Sequence, residues 1–334
     1  MVSVTPNEPL VSVVTPVYNG ERYIARCIDS VLAQSYRNWE LVILNNFSKD
    51  GTPAIARRYA AGDSRVRVLD GKEFVGPERN HNLALRQISP DSRYVKVLFG
   101  DDFIFPECLQ RMVAVAERNP SVGIVGAYGL RGRKVVWDGL PLPASGDSTV
   151  LKGRDICRAR LLGGDYVFGT PTSLLMRADL VRAREHLYNE ANEHSDTEAC
   201  YDMLRESDFA FVHQVLTYSH LEDGSLRDES RRLNSYLPGF LYDLKVYGPS
   251  FLTTQEIDTN VALRMRIYRD FLARSVLRRE GRDFWKYHEQ KLREIGQPLG
   301  RARITWRATA LLLDAALNPK RTLENMWRGG APVP

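Results

Sequence analysis

The chain of 334 residues is poor in the features that most directly assign a protein to a special class. Its start, Met1 to Leu10, holds neither a basic nor an apolar leader region. Nowhere does an apolar run approach the roughly 20 residues that a membrane-spanning helix needs. Together these set the expectation of a cytoplasmic protein. The 4 cysteines, Cys27, Cys108, Cys157 and Cys200, lie far apart in helix-like stretches with no C-x-x-C or Cys/His pattern. Neither a zinc site nor a disulfide framework is expected from that spacing, and the thiols are expected to behave as small buried hydrophobes. His81, His186, His194, His213 and His288 show no paired spacing that would mark a ligand set. No period of 20 to 50 residues and no low-complexity tract is present, which excludes a solenoid or a linker.

What is present is the composition of an ordinary packed globular protein, 43% hydrophobic and 26% charged. Short β-branched runs alternate with helical patterns over the first 130 or so residues. Val11–Thr15, Leu41–Leu44, Val66–Leu69, Tyr94–Phe99 and Val122–Ala127 are predicted strands. Arg22–Gln34, Thr52–Tyr59, Pro77–Gln87 and Pro106–Arg118 are predicted helices. Such alternation implies parallel pairing with crossover helices, and ligands then gather at the carboxyl ends of the strands. The pattern loosens between Gly129 and Gly169, where loops flanking a short helix at Arg154–Leu162 are expected to face an acceptor. Pro171–Met176 and Phe209–Tyr218 read as strands, and Thr197–Arg205 reads as a helix behind an acidic loop. Beyond Asp228 the chain reads as helical. The net charge of +5 is uneven, with lysine and arginine gathering after about residue 260. Ile304–Leu317 is amphipathic and suited either to packing within the fold or to lying on a membrane.

Four stretches fall on the ligand edge of the predicted sheet. The first strand ends in Thr15-Pro16-Val17-Tyr18-Asn19-Gly20-Glu21 and the second in Asn45-Asn46-Phe47-Ser48-Lys49-Asp50-Gly51. Backbone groups, an aromatic and side-chain amides there could hold a flat base, or could simply build turns. The strand Tyr94–Phe99 runs into Gly100-Asp101-Asp102. An acidic pair leaving an apolar strand is costly unless neutralised, and a hard divalent cation bridging to substrate phosphates would neutralise it. The alternative is a solvated acidic turn capping the Pro106 helix. Gly-Asp-Asp also occurs in template-dependent RNA polymerases, but the charge is not concentrated as a nucleic-acid channel requires. Arg79, just inside the Pro77 helix, suits a phosphate or a plain surface position.

Taken together, Thr15 to Glu21, Glu40 to Gly51, Arg79-Asn80 and Leu98 to Pro106 resemble, in order and spacing, the successive signatures of family 2 glycosyltransferases. The resemblance covers roughly the first 125 residues. It implies a GT-A fold, an α/β Rossmann-like mixed sheet flanked by helices, here with a C-terminal helical extension. The implied partition is a catalytic domain over 1–228, with the donor mainly on 10–128 and the acceptor mainly on 129–228, and a helical region over 229–334. It implies an inverting, metal-dependent transfer from a nucleoside-diphosphate sugar to an acceptor hydroxyl, in surface polysaccharide or cell-wall glycan assembly. Thr15, Pro16, Tyr18, Asn45 and Asn46 would then hold nucleobase and ribose, and Arg79 the diphosphate. Asp101 would contact the ribose or the metal shell, and Asp102 would ligate Mn²⁺ or Mg²⁺. Asn45 and Asn46 depart from the family's carboxylates, keeping a hydrogen-bond acceptor but losing charge. Ser195-Asp196 stands where relatives carry an acidic pair before a helix, implying Asp196 as the base that takes the acceptor's proton. Asp196 could instead cap that helix, and Glu198 is a rival base. His220, ahead of the polar stretch Glu222–Asp228, could complete the metal or phosphate shell, or be structural.

Two other readings stay open from the sequence. One is a non-catalytic sugar-binding or scaffold homologue, motivated by Asn45 and Asn46. The other is a sugar nucleotidyltransferase, which lacks its Gly-rich basic loop here, because Tyr18-Asn19-Gly20 is not one. The expected partners are the donor, a carbohydrate or lipid-linked acceptor and no nucleic acid. Peripheral contact with the inner face of the membrane would run through the basic C-terminal helices.

Overall fold

The computed structural model describes residues 8–143, 145–220, 230 and 232–318. The chain divides into two compact units, Met1–Arg160 with Asp165–Leu221, and Leu161–Gly164 with Glu222–Pro334. The stretch Glu222–Asp228, and with it the expected boundary at 228, lies outside the described residues.

The first unit is built on a 10-stranded mixed sheet. Its strands are β1 (Val11–Val17), β2 (Trp39–Asn45), β3 (Val66–Asp70), β4 (Tyr94–Val97), β5 (Phe103–Ile104), β6 (Val122–Arg131), β7 (Lys134–Val136), β8 (Ser148–Leu151), β9 (Leu175–Arg177) and β10 (Asp208–Ser219). The helices are α1 (Ile24–Leu32), α2 (Thr52–Gly62), α3 (Pro77–Leu85), α4 (Cys108–Arg118), α5 (Gly153–Leu161), α6 (Ala178–Arg182) and α7 (Ser195–Leu204). The main path runs β3-β2-β1-β4-β9-β6-β10-β5. β3, β2, β1 and β4 are parallel, as the alternation of strands and helices predicts. Every residue of β1 is buried, because helices cover both faces of a parallel strand. Its inward residues Val11, Val13 and Val17 share a core with Ile24, Cys27, Ile28 and Val31 of α1. All 4 cysteines are free and buried.

Three expectations are corrected. The fourth strand stops at Val97 rather than Phe99, since the chain turns there, with the Asp102 N–H donating to the Phe99 carbonyl at 3.0 Å. Pro171–Ser173 is a 3₁₀ turn, and only Leu175–Arg177 is a strand, antiparallel to both β4 and β6. The stretch 129–169 is not all loop. β6 continues to Arg131 and pairs with β7, and β8 pairs antiparallel with β10.

Parallel register brings the ends of β1, β2 and β3 level, with Val17 opposite Asn45 and Asn45 opposite Asp70. Farther across, β10 runs parallel to β6, and its last residues Thr217 and Tyr218 lie against Ile104 and Phe103 of β5. The end of β10 thus arrives beside the turn that follows β4.

The second unit is helical, as predicted, with helices at Tyr236–Val246, Gly248–Phe251, Thr254–Leu277, Arg282–Glu294 and Arg301–Leu317. The longest starts with a reciprocal capping box, in which the Glu256 N–H donates to Thr253 Oγ1 at 3.3 Å and the Thr253 N–H to Glu256 Oε2 at 2.9 Å. The core gathers Met265, Tyr268, Leu272, Phe284, Leu292 and Ile304. Within it Tyr268 Oη lies 2.6 Å from Nδ1 of the fully buried His288, whose burial lowers its pKa to about 4. Among the described residues no helix is long and apolar enough to cross a membrane.

Candidate active site

Two turns close the ligand edge of β1 and β2. The Asn19 N–H donates to Ser48 Oγ at 2.9 Å and the Lys49 N–H to Asn19 Oδ1 at 2.9 Å. The Gly20 N–H donates to Thr52 Oγ1 at 2.8 Å. Asn19 and Phe47 both adopt positive φ, 48° and 61°, so the tight geometry is carried by non-glycine residues held in place by these contacts. Thr15 and Pro16 are buried in β1, whereas Tyr18 stands out from its end and packs on Phe74 with ring centroids 4.7 Å apart. Asn45 donates through Nδ2 to Asp70 Oδ1 at 2.8 Å and accepts from the Ser48 N–H at 3.1 Å. Asn46 faces Val75 with its whole amide. Its Nδ2 donates to the Val75 carbonyl at 2.8 Å, and its Oδ1 accepts the Val75 N–H at 3.0 Å. Each amide end keeps one further hydrogen-bonding direction. Arg79 is exposed on the first turn of α3.

Of the acidic pair, Asp101 is half-buried and Asp102 is out of solvent. Asp102 is 3% exposed. Its Oδ2 accepts from Thr172 Oγ1 at 2.6 Å and its Oδ1 from the His220 N–H at 2.9 Å. Burial, and then the neighbouring charge of Asp101, push its pKa up to about 7. His220 therefore does reach the site, carried there by the end of β10. Its Nε2 lies 3.1 Å from Tyr23 Oη, and its buried Nδ1 has no hydrogen-bond partner. Among the described residues no three His, Cys, Asp or Glu side chains converge as a preformed metal cage. Asp102 and the adjacent Asp101 are oxygen donors of the kind a hard cation takes together with substrate oxygens, and the orphaned His220 Nδ1 lies on a residue whose backbone already contacts Asp102.

A group that the sequence reading passed over supports Asp102. Lys96 sits in β4, where the chain reads as a nearly continuous apolar run, yet it is a fully buried lysine. Its Nζ donates to the carbonyls of Thr172 at 2.6 Å and Leu174 at 3.1 Å. Those bonds fix the 3₁₀ turn whose Thr172 hydroxyl reaches Asp102. Burial lowers the Lys96 pKa, and the Asp102 carboxyl works in the opposite direction.

Asp196 lies in the first turn of α7 and is not its cap, since the helix begins at Ser195 with His194 in the capping position. Its Oδ1 accepts the Thr197 N–H at 2.8 Å. Burial raises its pKa, and His194 pulls the other way. Two chains of contact join this corner to the Asp102 turn. On one side Thr197 Oγ1 meets Tyr166 Oη at 2.9 Å, and that hydroxyl donates to the Gly169 carbonyl at 3.1 Å, just ahead of Thr172. On the other, His81 packs edge-on between Tyr188 and Phe99, with centroids at 5.6 and 5.1 Å. Sequence spacing assigns His81 no role and singles out none of Lys96, Thr172, Tyr166 or Tyr188. The lone cation inside an apolar strand is the one signal that could have pointed here.

The sequence profile described as glycosyl transferase family 2 matches residues 12–184, half of the chain. The chain belongs to that family. It is 30% identical over 261 residues to a Bacillus subtilis protein named as the glycosyltransferase EpsE, covering 73% of this chain and 90% of that one. It is 36% identical over 136 residues to TuaG of the same organism, named for teichuronic acid biosynthesis, covering 40% and 51%. Among solved structures, TarS 1–349 of S. aureus in complex with UDP superposes with a TM-score of 0.61 at 17% identity, over 97% of this chain and 93% of that one. The mannosyltransferase PcManGT of Pyrobaculum calidifontis, in complex with GDP-Man and Mn²⁺, gives 0.57 at 17% identity over 97% and 89%. The fold of this glycosyltransferase is accordingly GT-A, with a helical C-terminal region.

Proposed function

We propose that this glycosyltransferase moves a sugar, with inversion, from a nucleoside-diphosphate donor to an acceptor hydroxyl, in surface polysaccharide or cell-wall glycan assembly on the cytoplasmic side. The observation that carries the reading is the buried Asp102, backed by Thr172 and His220 and flanked by Asp101, at the ligand edge of the sheet. Donor chemistry is supported by the UDP and GDP-Man in the superposed structures, and the glycan class by the name of TuaG.

In this reading Thr15, Pro16, Tyr18, Asn45 and Asn46 form the base and ribose side, and the exposed Arg79 meets the diphosphate with its planar fork of donors. Asp102, Asp101 and His220 hold Mn²⁺ or Mg²⁺. A cation there would offset the charge growing on the departing nucleoside diphosphate. Asp196 takes the acceptor's proton as its oxygen attacks the anomeric carbon. Burial raises the basicity of its carboxylate, which suits that role near neutral pH.

The test is a panel of UDP- and GDP-sugars with Mn²⁺ or Mg²⁺, followed by release of nucleoside diphosphate. Release with one donor, lost in Asp102→Ala, is expected. Absence of both nucleotide binding and release across the panel would overturn the reading.

A further inference from the structure

Among the described residues, the helix Arg301–Leu317 packs against its own unit along only one face. Ile304 and Ala308 are buried in the helical core and Leu311 packs against it. The opposite face carries Trp306, Leu312, Leu313 and Leu317 at 72%, 55%, 58% and 78% exposure. Ala302, Thr305, Thr309 and Ala316 are exposed between them. At about 100° per residue these eight positions fill an arc of roughly 140° with no charged side chain in it. An uncharged stripe of that length, with a tryptophan at one end, is more apolar surface than a lone helix leaves open without a use.

Alongside the stripe lies a groove of about 520 Å³ lined by Arg266, Arg269, Asp270, Arg303, Trp306 and Arg307. Arg307 grips Asp270 with two bonds, Nε to Oδ1 at 2.7 Å and a second nitrogen to Oδ2 at 3.2 Å, so the carboxylate is already matched. Arg266, Arg269 and Arg303 meet no carboxylate at ion-pair distance among the described residues. The groove therefore presents three uncompensated guanidiniums beside an apolar, Trp-bearing face.

We infer that this face is a docking surface for an anionic lipid bilayer, with the stripe Trp306–Leu313–Leu317 lying in the interface and Arg266, Arg269 and Arg303 taking headgroup phosphates. Guanidinium matches phosphate by charge and by its fork of donors, and an exposed tryptophan prefers the headgroup level. A second copy of the chain is the less suitable occupant. A twofold contact sets a patch against itself, which would bring the same unpaired arginines together. This inference rests on the helical unit alone and is independent of the proposed transfer.

The full-length chain is floated with vesicles of phosphatidylcholine containing phosphatidylglycerol and, separately, of phosphatidylcholine alone, at low and high salt. Binding only to the anionic vesicles, weakening with salt, is expected. The triple variant Arg266→Gln, Arg269→Gln, Arg303→Gln should partition on the order of 100-fold more weakly. Trp306→Ser with Leu313→Ser should lose binding even at low salt. Four of the five positions are exposed and Arg269 is half-buried, so unchanged far-ultraviolet circular dichroism and melting separate loss of docking from loss of fold. Failure of the wild type to float, or full binding by the arginine variant, would overturn the inference. Sedimentation as a dimer that the Trp306 and Leu313 variant dissociates, without vesicle binding, would make the stripe a self-interface and also overturn it. At matched ionic strength, wild-type flotation no weaker in inorganic phosphate than in sodium chloride excludes a site for free phosphate, and its selective loss in phosphate would assign the groove to the free anion.

Discussion

Both units depart from the usual partition of polar and apolar groups, the sheet unit most clearly through buried charges and the helical unit through a run of exposed hydrophobes on one helix. The sheet unit hides charges: Lys96, Asp102, Glu198 and Asp208 are all buried. The helical unit shows hydrophobes: Trp306, Leu312, Leu313 and Leu317 stand in solvent. Both arrangements cost free energy in the isolated protein, the first through desolvation and the second through hydration of apolar surface. At Asp102 a cation, and along the helix Arg301–Leu317 a lipid surface, would lower that cost if bound, whereas Asp208 is already met by Lys152 and Ser121. The contrast teaches that a misfit between residue type and environment marks where a binding partner is to be sought.

The sharpest break of the contrast is expected at the hidden charges. Asp102→Ala should lower transfer at least about 1000-fold, since an electrostatic group serving the leaving diphosphate is removed. Asp196→Asn should cost roughly 100- to 10,000-fold in kcat while leaving donor affinity within a few-fold. Nucleotide binding measured calorimetrically beside turnover separates the two. Wild-type turnover by Asp196→Asn would pass the proton to another group, with Glu198 next in line.

Titration gives a second comparison, with opposite signs in the two units. Asp102 has its folded pKa raised from 3.8 to about 7, so its contribution is favourable below pH 3.8 and is lost as pH rises through 7. His288 has its folded pKa lowered from 6.5 to about 4, so its contribution is present above pH 6.5 and is lost as pH falls through 4. Without divalent cation, the stability difference between wild type and Asp102→Asn should therefore move against the wild type from pH 4 to 7. The difference between wild type and His288→Phe should move in its favour over the same range, by up to roughly 3 kcal/mol. Chemical denaturation at several pH values reads both, and parallel slopes would contradict the assignment.

A smaller effect is expected at Lys96→Met. Two buried carbonyls lose their donor while a buried charge disappears, for a net loss of about 2 kcal/mol. Because Thr172 then loses its anchor, metal-dependent donor binding should weaken by roughly 10-fold even where the protein is fully folded. A drop in melting temperature with unchanged donor affinity would confine Lys96 to packing.

How much of this was legible in the sequence follows from the range of the interactions involved. The strands β1 to β4 and the helices between them announce themselves in apolar runs and turn residues a few positions apart, which is local information. Asp101 and Asp102 were legible for the same reason, as charges at the end of such a run. β5, β7 and β8 were not, because strands of two to four residues owe their existence to neighbours far along the chain rather than to propensity. The support of Asp102 was equally hidden, since Thr172 lies 70 residues away and the Lys96 contacts to its carbonyl and that of Leu174 span 76 and 78. The histidine at 220 could be noticed, but only the course of β10 shows it arriving at Asp102.

That course also has a consequence for biosynthesis. Asp102 and His220 are separated by 118 residues. At about 5–20 residues per second, a ribosome takes on the order of ten seconds to make the second after the first. During that interval the edge of β6 that β10 will cover stays open, and Asp102 waits without its backbone donor. The nascent chain, rather than the finished protein, is thus where the edge of β6 is open to mispairing.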